Sequence, residues 1–223
     1  RRKPPRKKAK APRPPAPPLP TQPLLLVDRL LRPPGQFIER IDKEPTQRLA
    51  DIAKVLMVAL LAGGALFGVS MGLFRPGPQI LASAIKMPLL LLLTAALSVP
   101  ALSATLAASG GKTSFVRDAV VVLATLCVTA LALSALAPVV LLSVVTGSGY
   151  HEVVLTAFGC CAVAGSAGLL LFVSALWRRR QPGRLFALFV GLTVFALVGS
   201  QLAWTLRPFV ARPRADFAWV RGL

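Results

Sequence analysis

The chain has 223 residues, of which 55% are hydrophobic, yet it carries a formal net charge of +18. Both can hold only where charge is segregated from apolar sequence, and 14 of the 26 Lys and Arg residues do lie between Arg1 and Lys54. That pattern excludes an ordinary soluble core, which has no need of uninterrupted apolar runs long enough to cross a hydrocarbon layer roughly 30 Å thick.

Residues 1–23 read as a disordered, basic and Pro-rich tail. Arg1, Arg2, Lys3, Arg6, Lys7, Lys8, Lys10 and Arg13 are followed by a Pro-rich run to Pro23, which cannot build a core and favours extended polyproline II. Such a tail either is solvated and helps set topology, or binds anionic lipid, nucleic acid or a partner domain.

Residues 24–51 hold two short amphipathic segments, Leu24–Arg32 and Phe37–Asp42, separated by Pro33-Pro34-Gly35. Each is too short to span and mixes charge with apolar residues, so each is expected as an interfacial helix packed on the membrane surface, with docking of another subunit as the alternative. A cleavable signal peptide is not expected, because the first long apolar run begins near Ile52 and exceeds a signal h-region.

Residues 52–206 contain five candidate spans: Ile52–Phe74, Met87–Ala108, Ala119–Thr146, Val153–Trp177 and Leu185–Leu206. The expected fold class is therefore all-α, a polytopic membrane helix bundle of about five transmembrane helices. Pro138 in the long third span and Pro100 in the second are places for a kink or tilt. An odd number of spans puts the termini on opposite sides. With the N-terminus inside, Lys and Arg split 20 inside against 6 outside, so a cytoplasmic N-terminus is expected, with residues 207–223 as an extracytoplasmic segment. Composition without Asn and rich in Ala, Arg, Pro, Leu and Val suggests a GC-rich coding bias and hence a bacterial plasma (inner) membrane. The chain opens on Arg1 and stops at Leu223, which leaves open whether either end is complete.

Gly64, Gly68 and Gly72 recur every four residues in the first span, and Gly165, Gly168 and Gly199 mark similar small-residue stripes in the fourth and fifth. These are expected as helix-packing faces, within the bundle or against a separate subunit. No ionisable residue falls deep inside the five spans as drawn, which weighs against an ion-coupled pump. Thr94, Ser98, Ser103, Thr125, Thr129 and Ser134 are expected to bond to their own helix backbones. An outer-rim polar cluster is expected around Lys86, Glu152, Gln201, Trp204 and Arg207, near Arg75, Tyr150 and His151, with Glu152 pairing to Lys86 or Arg207. Cys127, Cys160 and Cys161 lie in apolar runs without metal-site spacing and read as small packing residues. No nucleophile–base pair, paired carboxylates or phosphate loop stands out, so no catalytic, metal or cofactor site is expected, and the protein is not expected to be an enzyme.

The strings Gly199-Ser200-Gln201-Leu202-Ala203-Trp204-Thr205-Leu206-Arg207-Pro208-Phe209 and Lys86-Met87-Pro88 through Thr94 resemble an uncharacterised family of bacterial multi-spanning membrane proteins over roughly Ile52 to Arg221. More distantly, the five-span layout is similar to that of the Yip-like membrane proteins. The latter resemblance implies an adaptor or scaffold working through protein partners, and it supplies no site residues. The expected function is a non-enzymatic membrane subunit that anchors or scaffolds a larger assembly, with other protein subunits and the lipid bilayer as partners. A transporter or channel component is one alternative. A membrane tether for anionic lipid or nucleic acid through the tail is another.

Overall fold

The structure, a computed structural model, describes residues 22–32, 34–111, 114–179 and 183–205. The tail residues Arg1–Arg13, Arg207 and the rest of the C-terminal segment lie outside them. The described residues form seven helices and no strand: α1 (Pro23–Leu31), α2 (Pro34–Ile41), α3 (Thr46–Gly72), α4 (Pro78–Ala108), α5 (Phe115–Val145), α6 (Tyr150–Arg178) and α7 (Arg184–Thr205). The last five are long and apolar enough to cross a membrane. At about 1.5 Å per residue α4 and α5 reach roughly 46 Å, well beyond a ~30 Å hydrocarbon layer. Their terminal turns therefore extend to headgroup depth, where charged side chains are tolerated.

Successive spans run antiparallel through short connections whose chemistry is local. α4 ends on Gly110 at φ 74°, where the Gly111 N–H reaches back to the Leu106 carbonyl at 3.1 Å. α5 ends similarly on Gly147 at φ 76°, with the Ser148 N–H on the Ser143 carbonyl at 3.2 Å. A left-handed residue lets the chain reverse while satisfying carbonyls that the helix end orphans, and glycine adopts it without a Cβ penalty.

α5 is the centre of the bundle. From Val120 to Cys127 eight consecutive residues are buried, so the helix is enclosed on every side over two turns. Farther along, burial narrows to Ala130, Leu133, Ala137 and Val140, a single stripe at helical spacing. Leu133, Ala137 and Val140 of that stripe share a core with Phe67 and Met71 of α3 and with Val153, Ala157, Cys160 and Ala164 of α6. The opposite face of α6 leaves Leu155, Phe158, Val163 and Leu170 exposed, as a lipid-facing surface should.

The full enclosure of α5 at one end comes from α1 and α2. Leu26 and Leu30 of α1 and Phe37, Ile38 and Ile41 of α2 are fully buried in the same core as Leu49, Ile52, Val120 and Leu176. The apolar faces of these two short helices, expected at the membrane interface, are covered by the bundle. Leu24, Leu25 and Leu31 remain exposed on α1. We call the end that carries α1 and α2 the tail end.

Candidate functional site

A network of ion pairs lies at the tail end, where four helices meet. Asp118 lies in the first turn of α5 and is 1% exposed. Ser103 of α4 donates its hydroxyl to Asp118 Oδ2 at 3.1 Å. Arg179, the residue following α6, donates from Nη1 to Asp118 Oδ1 at 2.6 Å and pairs through Nη2 with Asp42 Oδ1 at 3.0 Å. Asp42 follows α2 directly, so one guanidinium ties α2, α5 and α6 together, and Ser103 adds α4.

A second pair runs parallel to the first. Arg178 donates from Nη1 to Glu39 Oε1 at 2.9 Å, with both side chains about half exposed. Glu39 and Asp42 are three residues apart, which places them on one side of α2, facing the two consecutive arginines. Arg117 Nη2 adds a long contact to the Glu44 carbonyl at 3.4 Å, and Glu44 pairs with Arg48 at 3.8 Å. The helix dipoles favour the arrangement, since Asp118 sits at the positive N-terminus of α5 and Arg178 and Arg179 at the negative C-terminus of α6.

The chain has only eight acidic residues, and six of them, Asp28, Glu39, Asp42, Glu44, Asp51 and Asp118, form ion pairs at this end. What the arrangement does chemically is fasten helices. Both oxygens of Asp118 are engaged, by Ser103 and Arg179. Among the described residues no group of three His, Cys, Asp or Glu side chains converges as a metal site would require.

Comparison with protein-family models, curated proteins and solved structures gives no match. The geometry alone therefore carries the functional reading.

The residues expected at the outer rim fall only partly within the described residues, since Arg207 lies outside them. Lys86 is buried within α4, because that helix begins at Pro78, eight residues before Lys86, and the lysine packs inside the bundle. Eight residues correspond to about 12 Å, while α4 exceeds the hydrocarbon layer by about 8 Å at each end, so Lys86 lies just below the interface. Glu152 is exposed and accepts the Gly149 N–H at 3.2 Å, capping its own helix, and no ion pair among the described residues involves it. Gln201 and Trp204 are exposed on α7. The aromatic groups at this end do meet: Phe74 and Tyr150 ring centroids are 6.1 Å apart, and Tyr150 and His151 5.5 Å.

Gly64, Gly68 and Gly72 of α3 face α4, while Gly63 faces Ala130 of α5. A Cβ on Gly64 would lie 3.2 Å from Pro88, one on Gly72 2.6 Å from Ile80, and one on Gly68 would collide with the Ser83 carbonyl. Gly168 is equally crowded by Thr129 and Thr125 of α5, whereas Gly165 and Gly199 have open space where a side chain would go. Thr94, Thr125, Thr129 and Ser134 bond to backbone carbonyls of their own helices. Ser103 departs from that expectation by serving Asp118, and the buried Ser98 hydroxyl has no hydrogen bond. All three cysteines are free.

Sequence reasoning missed Asp118, Ser103, Asp42 and Glu39 as a set. Asp118 fell one residue outside the span drawn from Ala119, and burial at a helix terminus leaves no mark in a hydropathy window. A usable signal was present: two acids at i and i+3 on a short amphipathic helix, and a third opening an apolar run, in a half of the chain otherwise dominated by arginine and lysine.

Proposed function

We propose that this protein is a non-enzymatic integral membrane subunit that anchors or scaffolds a larger membrane-associated assembly. One observation carries the reading. The two short helices that follow the tail are fixed beneath the bundle by five buried apolar side chains and by the Arg178 and Arg179 ion pairs. A segment leaving the membrane from such a mount projects at a fixed position, and its basic, Pro-rich composition suits contact with a partner over distance. The tail end is proposed to face the cytoplasm of a bacterial cell, on the strength of the 20 to 6 split of basic residues.

The competing transport reading draws on the polar residues buried in α4, Gln79, Ser83, Lys86, Thr94, Ser98 and Thr105. Thr94 and Thr105 spend their hydroxyls on their own backbone, at Leu90 and Ala101, as side chains without a wet path do.

Purification of the full chain in mild detergent tests the proposal. A partner of fixed stoichiometry is expected, released when residues 1–21 are deleted or when Phe37→Glu undocks α2, with helicity in the five spans retained. A solute flux through liposomes containing only this chain, abolished by substitutions at Ser98 or Ser134, would establish transport instead. A tail that acts as a simple electrostatic tether would show binding to anionic vesicles or nucleic acid that falls steeply with salt and vanishes without Arg1–Arg13.

A further inference from the structure

At the tail end, between α2, the end of α6 and the start of α7, the surface forms an open recess lined by Glu39, Trp177, Arg178 and Arg184. Its depth in the bilayer follows from the chain. α6 is a span whose last turn carries Trp177 and Arg178, and α7 is a span that begins at Arg184, so the recess lies at headgroup level.

The charges in the recess are not equivalent. Arg178 is already matched by Glu39 at 2.9 Å. Arg184 carries no ion pair among the described residues, and its guanidinium carbon lies 4.4 Å from the centroid of the Trp177 ring. A cation–π contact of this kind steadies a guanidinium at one place, and a guanidinium without a carboxylate partner is suited to grip a phosphate through two parallel hydrogen bonds. Beside it, Leu185, Phe186 and Phe189 are exposed on α7, an apolar surface leading from the recess into the bilayer.

We propose that this recess is a binding site for the headgroup of a monoanionic phospholipid, of the phosphatidylglycerol type. Arg184 holds the phosphodiester, Trp177 fixes the guanidinium, and the acyl chains lie along Leu185, Phe186 and Phe189. The formal charge of the lining, one carboxylate against two guanidinium groups, is +1, which a phosphodiester neutralises. A zwitterionic headgroup also brings an ammonium group into that net positive recess and is disfavoured. The site is separate from the basic tail and does not depend on the scaffold reading.

The experiment uses the full chain with Trp204→Phe and Trp219→Phe, so that Trp177 is the sole indole. It is reconstituted in phosphatidylcholine vesicles containing graded amounts of phosphatidylglycerol, phosphatidylethanolamine or phosphatidylcholine brominated near the glycerol end of the acyl chain. Quenching of Trp177 is read near 1 M salt, where a screening length of about 3 Å removes long-range attraction by the tail. Phosphatidylglycerol is expected to quench at about fivefold lower mole fraction than phosphatidylcholine, the factor that the ~1 kcal/mol of a net short-range hydrogen bond implies. Arg184→Gln should bring the lipids to parity, and Arg184→Lys should retain part of the preference, because an ammonium keeps the charge and loses the fork. Glu39→Gln should strengthen the preference by removing the one carboxylate among the described lining residues. Circular dichroism and gel filtration verify that each variant is folded, and native mass spectrometry of retained lipid repeats the comparison without the fluorescent probe. Equal quenching by all three lipids, a preference for phosphatidylethanolamine, or a preference that survives Arg184→Gln would overturn the proposal.

Discussion

Neutralising Asp118 should destabilise the bundle far more than neutralising Glu39, although each carboxylate pairs with a neighbouring arginine of the same Arg178-Arg179 dipeptide. The difference is solvent. Side-chain exposure is 1% for Asp118 and 7% for Arg179, against 57% for Glu39 and 50% for Arg178. Removing one partner of a buried pair strands the other in a poorly solvated site and costs about 3–5 kcal/mol, whereas an exposed pair contributes about 0.2–1 kcal/mol. Arg179 keeps Asp42 in an Asp118→Asn variant, at 3.0 Å and with that carboxylate 38% exposed, so the lower limit near 3 kcal/mol is the appropriate figure. Ser103 contributes little to the difference, because the Asn side chain can still hydrogen-bond it. The assay is reversible unfolding of purified protein in mixed micelles of graded denaturing detergent, followed by circular dichroism. A double-mutant cycle of Asp118→Asn with Arg179→Gln should give a coupling of roughly 2 kcal/mol, within the range for residues of one ion-pair network. A loss below about 1 kcal/mol for Asp118→Asn, or additive single effects, would show that the pair is solvated and that the buried network is not a fastening.

Other substitutions probe other parts of the fold. Phe37→Ala should cost about 3 kcal/mol by opening a cavity under the bundle, and hydrogen exchange in α1 and α2 should rise while that in α5 beyond Ala130 is unchanged. Gly68→Ala places a methyl group against the Ser83 carbonyl and should destabilise the α3–α4 contact by about 1–3 kcal/mol in the same unfolding assay. Gly165→Ala meets nothing within 4 Å and should be neutral or stabilising by up to about 1 kcal/mol through helix propensity. Ser98→Ala removes a buried hydroxyl that has no hydrogen-bond partner and should leave stability unchanged or raise it by about 1 kcal/mol, with a fall of the same size pointing to a partner the hydroxyl serves.

The five spans were legible because their signal is averaged over some 20 residues, so an error of a few positions does not hide a helix. The same averaging placed their ends wrongly. α4 begins at Pro78 and α5 at Phe115, earlier than the runs drawn from Met87 and Ala119, because a helix continues past the hydrocarbon layer into sequence that hydropathy scores as loop. Asp118 lies in such an overhanging turn and Lys86 just beyond one, and this is why both escaped notice as buried charges. The amphipathic pattern of Leu24–Arg32 and Phe37–Asp42 announced two short helices and an apolar face on each. It could not tell what covers that face, since a bilayer surface and the underside of a bundle present the same chemistry to Leu26 or Phe37.

Packing divides the bundle into unlike halves, and the division has consequences for motion. At the tail end α5 is enclosed through eight residues, and Asp118 and Arg179 join four elements through directional contacts. At the far end the same helix is held along one stripe, against small or flexible partners such as Ala157, Cys160 and Met71. Glycine-mediated approach brings α3 close to α4 through Gly64, Gly68 and Gly72 against Pro88, Ser83 and Ile80, beside the buried polar side chains Ser70, Gln79, Ser83 and Lys86. Sliding or splaying of helices is resisted more strongly where ion pairs must break than where small side chains shift past one another. The tail end is therefore firmly fastened. A carrier that opens to both sides in turn would need these fastenings to release in every cycle, whereas an anchoring subunit of the kind proposed would keep them closed.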